Sequence, residues 1–177
     1  MRASLSLESS RLRMRELDVD DLPFVSSMLS DPEVMRFYPR CLDRDESLAW
    51  IERQRARYAA DGHGLWLLEE RDTGMPVGQA GLVMQSLDGF PKVRYAEVGY
   101  LLHRAYWKRG YATEAAARVR EHAHTSLGYD EVISLIRAVN EPSQAVARRI
   151  GMRVIGETIH ASLPHLVFGA ERQGATG

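Results

Sequence analysis

The chain has 177 residues, of which 45% are hydrophobic and 27% charged, a balance that suits one soluble domain over residues 1–177 with a core at about 11–170. Its 23 basic and 24 acidic residues leave a formal charge of −1, which excludes the broad basic field of a nucleic-acid binder, and no apolar run approaches the ~18 residues of a membrane span. The single cysteine, Cys41, excludes an internal disulfide framework, and the polar start from Met1 to Ser10 has no signal-peptide core, so a cytoplasmic protein is expected.

Residues 11–17 (RLRMREL) alternate arginine with Leu12 and Met14, the period of a half-buried strand. Asp18 to Asp21 supply helix-start acids, and Leu22, Val25, Met28 and Leu29 share one helical face. Asp31-Pro32 predicts a further short helical turn. Asp43 and Glu46 have the spacing of a capping box, and helical spacing through Leu48, Ile51 and Tyr58 continues to about Ala60, before Asp61-Gly62. Leu65–Leu68 and Val77–Met84 then read as strands around a turn at Asp72-Thr73-Gly74, and Tyr95–Leu102 as the next strand. An alanine-rich helix runs from Tyr111 to about Ser126. Glu131–Val139 is a β-rich run, Asn140-Glu141-Pro142 opens a short helix that Gly151 stops, and strands near 152–158 and 164–170 close the chain. The order β, αα, βββ, α, β, α, ββ predicts an α/β (α+β mixed) fold, with helices covering a mixed sheet of about seven strands.

Glu97 to Thr113 (EVGYLLHRAYWKRGYAT) is the most informative stretch. A strand leads through Lys108, Arg109 and Gly110 directly into a helix. Free N–H groups and the positive end of the helix dipole favour an anion there, and Gly110 permits close backbone approach. Neither a GxxxxGK[ST] phosphate loop nor a GxGxxG fingerprint occurs, which removes the main support for NTPase and dinucleotide readings. A second constellation is Asn140 and Ser143 at a helix start, with Ala147, Arg148 and Arg149 following; capping alone would also account for the first pair.

Together these segments resemble the GNAT superfamily of acyl-CoA-dependent N-acyltransferases, and within it the ribosomal-protein-alanine N-acetyltransferase type. The resemblance covers roughly residues 11–170 and rests on "DPEVMRFYP", "GLWLLEERDTGMPVGQAGL", "AEVGYLLHRAYWKRGYATEAA" and "AVNEPSQAVARRIGM", in that order. Two positions depart from the superfamily pattern. Trp107 stands first in the pyrophosphate loop, as is usual in the subgroup, and Ala147 stands where many members carry a tyrosine acid.

The resemblance implies a mostly antiparallel sheet whose fourth strand, here 95–102, carries a bulge and splays in a V from the fifth, here 131–139. It implies acetyl-CoA as cosubstrate and needs no metal. By this likeness, backbone groups of Leu101 and Leu102 hold the pantetheine arm, with His103 adjacent. The amides of Arg109, Gly110, Tyr111, Ala112 and Thr113 hold the diphosphate, with charge from Lys108 and Arg109. Asn140 matches the pantetheine-contacting asparagine, Ser143 a hydroxyl near the sulfur, and Arg149 falls on the coenzyme side. Glu97, an acid inside an apolar strand, is the candidate base, and Ser143 the candidate donor of the thiolate's proton.

The acceptor is a primary amine, either a protein N-terminus or a small molecule, and the likeness nominates Glu33, Arg36, Phe37, Tyr38, Glu157 and His160 around it, with His165 nearby. An α-amino group, with pKa ~7.7–8.0, presents far more free base near neutrality than a lysine at ~10.4. His122 and His124, two apart on a helix, do not face each other as metal ligands must. Nucleic-acid and membrane partners are not expected. Dimerisation is common in the family, and nothing in this sequence specifies it. A non-catalytic acyl-CoA-binding module is the rival; it predicts coenzyme binding without turnover.

Overall fold

The structure is a computed structural model that describes residues 7–172; the segment 1–6, part of the polar start read above, and residues 173–177 lie outside it. In chain order the elements are β1 (Leu7–Glu8), β2 (Leu12–Arg15), α1 (Leu22–Leu29), α2 (Arg44–Asp61), β3 (Leu65–Glu70), β4 (Pro76–Gln85), β5 (Tyr95–Leu102), α3 (Tyr111–Thr125), β6 (Glu131–Arg137), α4 (Glu141–Arg149), β7 (Arg153–His160) and β8 (Leu163–Glu171). They form one eight-stranded sheet in the order β1-β2-β3-β4-β5-β6-β8-β7. Only the β5–β6 pair is parallel.

Several boundaries follow directly from side-chain chemistry. Leu12 and Met14 are fully buried on β2, as their alternation requires. Asp43 and Glu46 close a reciprocal capping box at the start of α2, and Gly62 ends that helix in the left-handed region. Leu22, Val25, Met28 and Leu29 all face inward from α1.

Four expectations change. The sheet has eight strands rather than seven, because Leu7–Glu8 pairs with Met14 and Arg13; two residues are too few to show a period. Asp31-Pro32 forms no helix but one hydrogen-bonded turn, with the Asp31 carboxylate accepting from the Glu33 N–H at 2.8 Å. Leu48 is 36% exposed, and the inward stripe of α2 is Ser47, Ile51, Gln54 and Tyr58. β6 stops at Arg137, where the Asn140 N–H bonds back to the Arg137 carbonyl.

Helices cover both faces of the sheet. Ala115, Ala116, Val119 and Ala123 of α3, with Val146 and Ala147 of α4, pack on one face around Trp66, Val98 and Phe168. α1 and α2 pack on the other face around Leu67. Ala147 is wholly buried in the first of these layers.

Two features position the cleft. First, β5 pairs with β6 only at Ala96↔Val132 and Glu97↔Ile133, and beyond that point the strands part. At the divergence the Ser134 hydroxyl donates to the Val98 carbonyl at 2.7 Å, so a side chain holds the place of a ladder N–H. Second, β4 and β5 pair without interruption from Gln85↔Tyr95 to Gly78↔Leu102. The expected bulge is therefore absent from that ladder, and the V arises from β6 turning away.

Close backbone approach holds the β3–β4 end of the frame. A Cβ on Gly81 would stand 1.9 Å from the Gly64 carbonyl oxygen and 2.8 Å from Leu65 Cα. Both neighbours are backbone and cannot rotate aside. Gly81→Ala is expected to destabilise by about 3 kcal/mol, at the upper end of overpacking costs. Chemical denaturation with an unchanged m-value checks this.

Candidate active site

The phase of the β5 ladder decides which peptide groups face the open V. The His103 N–H donates to the Val77 carbonyl at 3.0 Å, so alternate residues back along β5 (Leu101, Gly99, Glu97) also direct their peptide groups at β4. Val98, Tyr100 and Leu102 direct theirs the other way. The Leu102 carbonyl accepts the Trp107 indole N–H at 3.0 Å, which leaves the Tyr100 peptide open in the cleft. The Leu102 carbonyl is thus taken by Trp107, and the Leu101 peptide is turned toward Gln79.

Below this point lies a cavity of about 170 Å³. Its walls include Glu97 and Tyr100 from β5, Arg137 from β6, Asn140 and Ser143 at the start of α4, Phe37 and Tyr38 from the loop before α2, and His160 and His165 from the last hairpin. The Glu97 carboxylate accepts from the Gln85 side-chain amide at 2.7 Å and from the Leu135 N–H at 3.4 Å. Burial raises its pKa above the ordinary carboxylate value, while those two bonds and the Arg57 charge oppose the rise. Tyr38 keeps 38% of its surface exposed, yet burial of its hydroxyl surroundings, and then the Glu97 charge, push its pKa up to about 12. The Tyr100 hydroxyl donates to the Ser143 carbonyl at 2.8 Å; burial, then the Glu97 and Tyr38 charges, raise its pKa. Burial and His165 lower the pKa of His160, which favours the neutral ring. His165 Nδ1 lies 2.8 Å from the Leu163 carbonyl and must carry the hydrogen of that bond.

The hairpin that carries these histidines turns through Ala161 (φ 48°) and Ser162 (φ 62°). Both residues sit in the left-handed region that glycine or asparagine would occupy at less cost. Strain of this kind is characteristic of functional segments.

At the far end of β5, Lys108 (φ 62°) and Gly110 (φ 80°) bend the chain into α3. No side chain caps α3, and its first backbone bond runs from the Glu114 N–H to the Gly110 carbonyl. The N–H groups of Tyr111, Ala112 and Thr113 therefore lack helical partners. The loop is held by Arg11, whose Nε and backbone N–H each donate to the Glu114 carboxylate at 2.7 Å and whose Nη1 donates to the Arg109 carbonyl at 3.0 Å. Uncapped donors, left-handed loop residues and the V beyond them fit a diphosphate joined to a linear arm.

The structure gathers Glu97, Ser143, Asn140, Phe37, Tyr38 and His160 around one space. It does not bring in Glu33, Arg36 or Glu157. Glu33 pairs with Arg36 at 3.9 Å outside the cavity, Glu157 is exposed on the edge strand β7, and Arg149 is exposed at the far end of α4. The Asn140 carboxamide oxygen accepts from the Ser143 N–H at 3.2 Å, so this residue caps α4 and leaves its NH₂ for other partners. His103 accepts from the Ala105 N–H at 3.2 Å and stacks near Phe24. His122 packs on the Trp66 ring and His124 bonds the Tyr129 carbonyl, so the two rings point apart. Tyr100 and Arg137 were missed from the sequence. Their signal was positional: Tyr100 lies three residues past Glu97, and Arg137 alternates with Ile133 and Leu135.

The parallel strand pair thus opens onto an uncapped helix N-terminus, with the half-buried Glu97 at the fork. The family description "Acetyltransferase (GNAT) domain" matches residues 11–153, and the chain belongs to that family, whose members use acetyl-CoA. The Bacillus subtilis protein YkkB is 30% identical over 86% of this chain and 87% of its own. The crystal structure of an acetyltransferase from Agrobacterium tumefaciens superposes with a TM-score of 0.83 at 26% identity, covering 97% of each chain. The ribosomal L7/L12 alpha-N-protein acetyltransferase RimL, in complex with coenzyme A, shares the fold at 16% identity, with a TM-score of 0.76 and coverage of 94% of this chain and 98% of RimL. Among the described residues, no helix is long and apolar enough to cross a membrane.

Proposed function

We propose that the protein transfers an acetyl group from acetyl-CoA to a primary amine by direct attack in a ternary complex, with Glu97 as the base. The observation that carries this reading is the placement of Glu97, a carboxylate of raised pKa, where β5 and β6 part. Glu97 takes the ammonium proton, directly or through one water, and so frees the amine lone pair. The Tyr100 N–H, unpaired in the cleft, donates to the carbonyl oxygen on which charge develops. As the C–S bond breaks, the Ser143 hydroxyl, in the first turn of α4, gives its proton to the sulfur and takes up the second proton of the attacking nitrogen, so the serine ends unchanged; the helix dipole there favours the departing anion. Ala147 has no acidic hydrogen to give, so that position is not the source of the proton. Acetyl-CoA supplies the activated acyl group, and the N–H groups at Tyr111–Thr113, with the Lys108 charge, hold its diphosphate. The N-terminal reach of RimL supports an α-amine acceptor by likeness of fold.

Initial rates with both substrates varied test the reading. Intersecting reciprocal plots are expected. Parallel plots, or an acetylated enzyme isolated without acceptor, would contradict direct transfer.

A further inference from the structure

Arg137 is the one charged side chain of the cavity that the reaction above does not use. It is half-buried, its Nε is buried without a hydrogen-bond partner, and it forms no ion pair among the described residues. A guanidinium whose Nε is withdrawn from water without an acceptor is costly to keep. Its neighbours do not supply one. The residue opposite it on β8 is His165, whose Nδ1 is committed to the Leu163 carbonyl, and His160 beyond is biased toward its neutral form. The only carboxylate in the cavity wall is Glu97.

The strand geometry sets Glu97 and Arg137 at a defined spacing. Glu97 Oε1 reaches the Leu135 N–H. Arg137 lies two residues further along β6, about 6.6 Å on, and its side chain leaves the same sheet face as that of Leu135. Ile133 and Leu135, on that face, pack with Tyr95 of β5, whose side chain shares a face with Glu97. A proton acceptor and an unpaired planar cation therefore flank one small space.

We infer that the acceptor is a small amine that also carries a carboxylate a few bonds from its nitrogen, an amino-acid-like molecule whose amine meets Glu97 and whose carboxylate is clasped by Arg137. A guanidinium fork matches a carboxylate with two parallel hydrogen bonds, and a ligand carboxylate would satisfy the orphaned Nε. A polypeptide N-terminus without an acidic first residue offers only a peptide carbonyl at that distance and leaves the cation uncompensated. The inference rests on the transferase reading and narrows its acceptor.

The test compares acetyl transfer to the free amino acids, to the same compounds as carboxamides, and to alanine-terminated peptides, in the native protein, R137Q and R137K. The native protein is expected to prefer carboxylates over carboxamides by tenfold or more. A charged hydrogen-bonded contact of about 1.5–3 kcal/mol corresponds to a loss of about 10–150-fold in kcat/KM for carboxylates in R137Q. Carboxamide rates and the acetyl-CoA Kd should stay within about threefold, and R137K should recover part of the loss. Equal use of carboxylates and carboxamides, better use of the peptides, or an equal loss on all acceptors in R137Q overturns the inference alone. A matching loss of acetyl-CoA affinity also overturns it, by assigning Arg137 to the coenzyme. Binding of acetyl-CoA with no turnover of any amine instead overturns the transferase reading on which the inference stands. Thermal unfolding of both variants shows whether each remains folded.

Discussion

Glu97→Gln is expected to lower kcat/KM by about 10²–10⁴-fold, the usual worth of a positioned base, while leaving the folded protein at least as stable as the native one. The two halves of this result have one cause. Burial at the fork raises the Glu97 pKa, so the native state holds the proton more tightly than the unfolded chain does. The stabilisation this brings is fully present below the unfolded carboxylate pKa of about 4.3 and is lost as pH rises through the folded value. At any pH above the folded value the native protein carries an ionised carboxylate in a poorly solvated place. Glutamine carries no charge there, and its carbonyl oxygen still accepts from the Gln85 amide that now bonds Glu97. The variant should therefore unfold at an equal or higher temperature at pH 7–8. The native kcat/KM should rise with pH as Glu97 loses its proton, at a pH above the ordinary carboxylate range, and this limb should vanish in the variant. A variant with native rates would remove Glu97 from the chemistry. A variant that loses both activity and several degrees of stability would mark a structural acid instead.

The readable and unreadable parts of this chain divide by what fixes them. β5 was legible because Tyr95–Leu102 is a mostly apolar run that ends at a polar loop, and Glu97 was legible because an acid interrupts that run. The capping box at Asp43 is set by residues three apart and needs no tertiary partner. Ser47 was not legible as an inward position, since its burial depends on its hydroxyl bonding the Asp43 carbonyl. Tyr100 displaced Leu101 as the open peptide because ladder phase is set by pairing with β4, a strand some twenty residues away. Arg137 became conspicuous only once β6 had turned from β5 and β8 had brought His165 opposite. The resemblance to the family singled out the Lys108–Thr113 loop, but the cavity wall is built from separated segments whose meeting the sequence does not encode in any short motif.

Saturating acetyl-CoA is expected to raise the unfolding temperature by about 5–10 °C. At about 100 times Kd, linkage adds about 2.7 kcal/mol, and a domain of this size moves about 2–4 °C per kcal/mol. The gain should depend on the loop geometry at the start of α3. Gly110 holds φ at 80°, and a Cβ there would also lie 3.4 Å from Arg11 Nη2. Gly110→Ala should therefore cost about 1–2 kcal/mol in the free protein, the usual penalty for a side chain in the left-handed region. Relief of that strain would rotate the Tyr111–Thr113 N–H groups away from their common focus and loosen the Arg11 bond to the Arg109 carbonyl. The acetyl-CoA shift of the variant should then fall well below the native one at the same ligand concentration. Comparing the two shifts, rather than the two unfolding temperatures, separates the loss of binding from the loss of stability. An unchanged shift in Gly110→Ala would place the diphosphate elsewhere. No shift of the native protein at millimolar acetyl-CoA would remove the coenzyme site, and the roles given to Glu97 and Ser143 would fall with it.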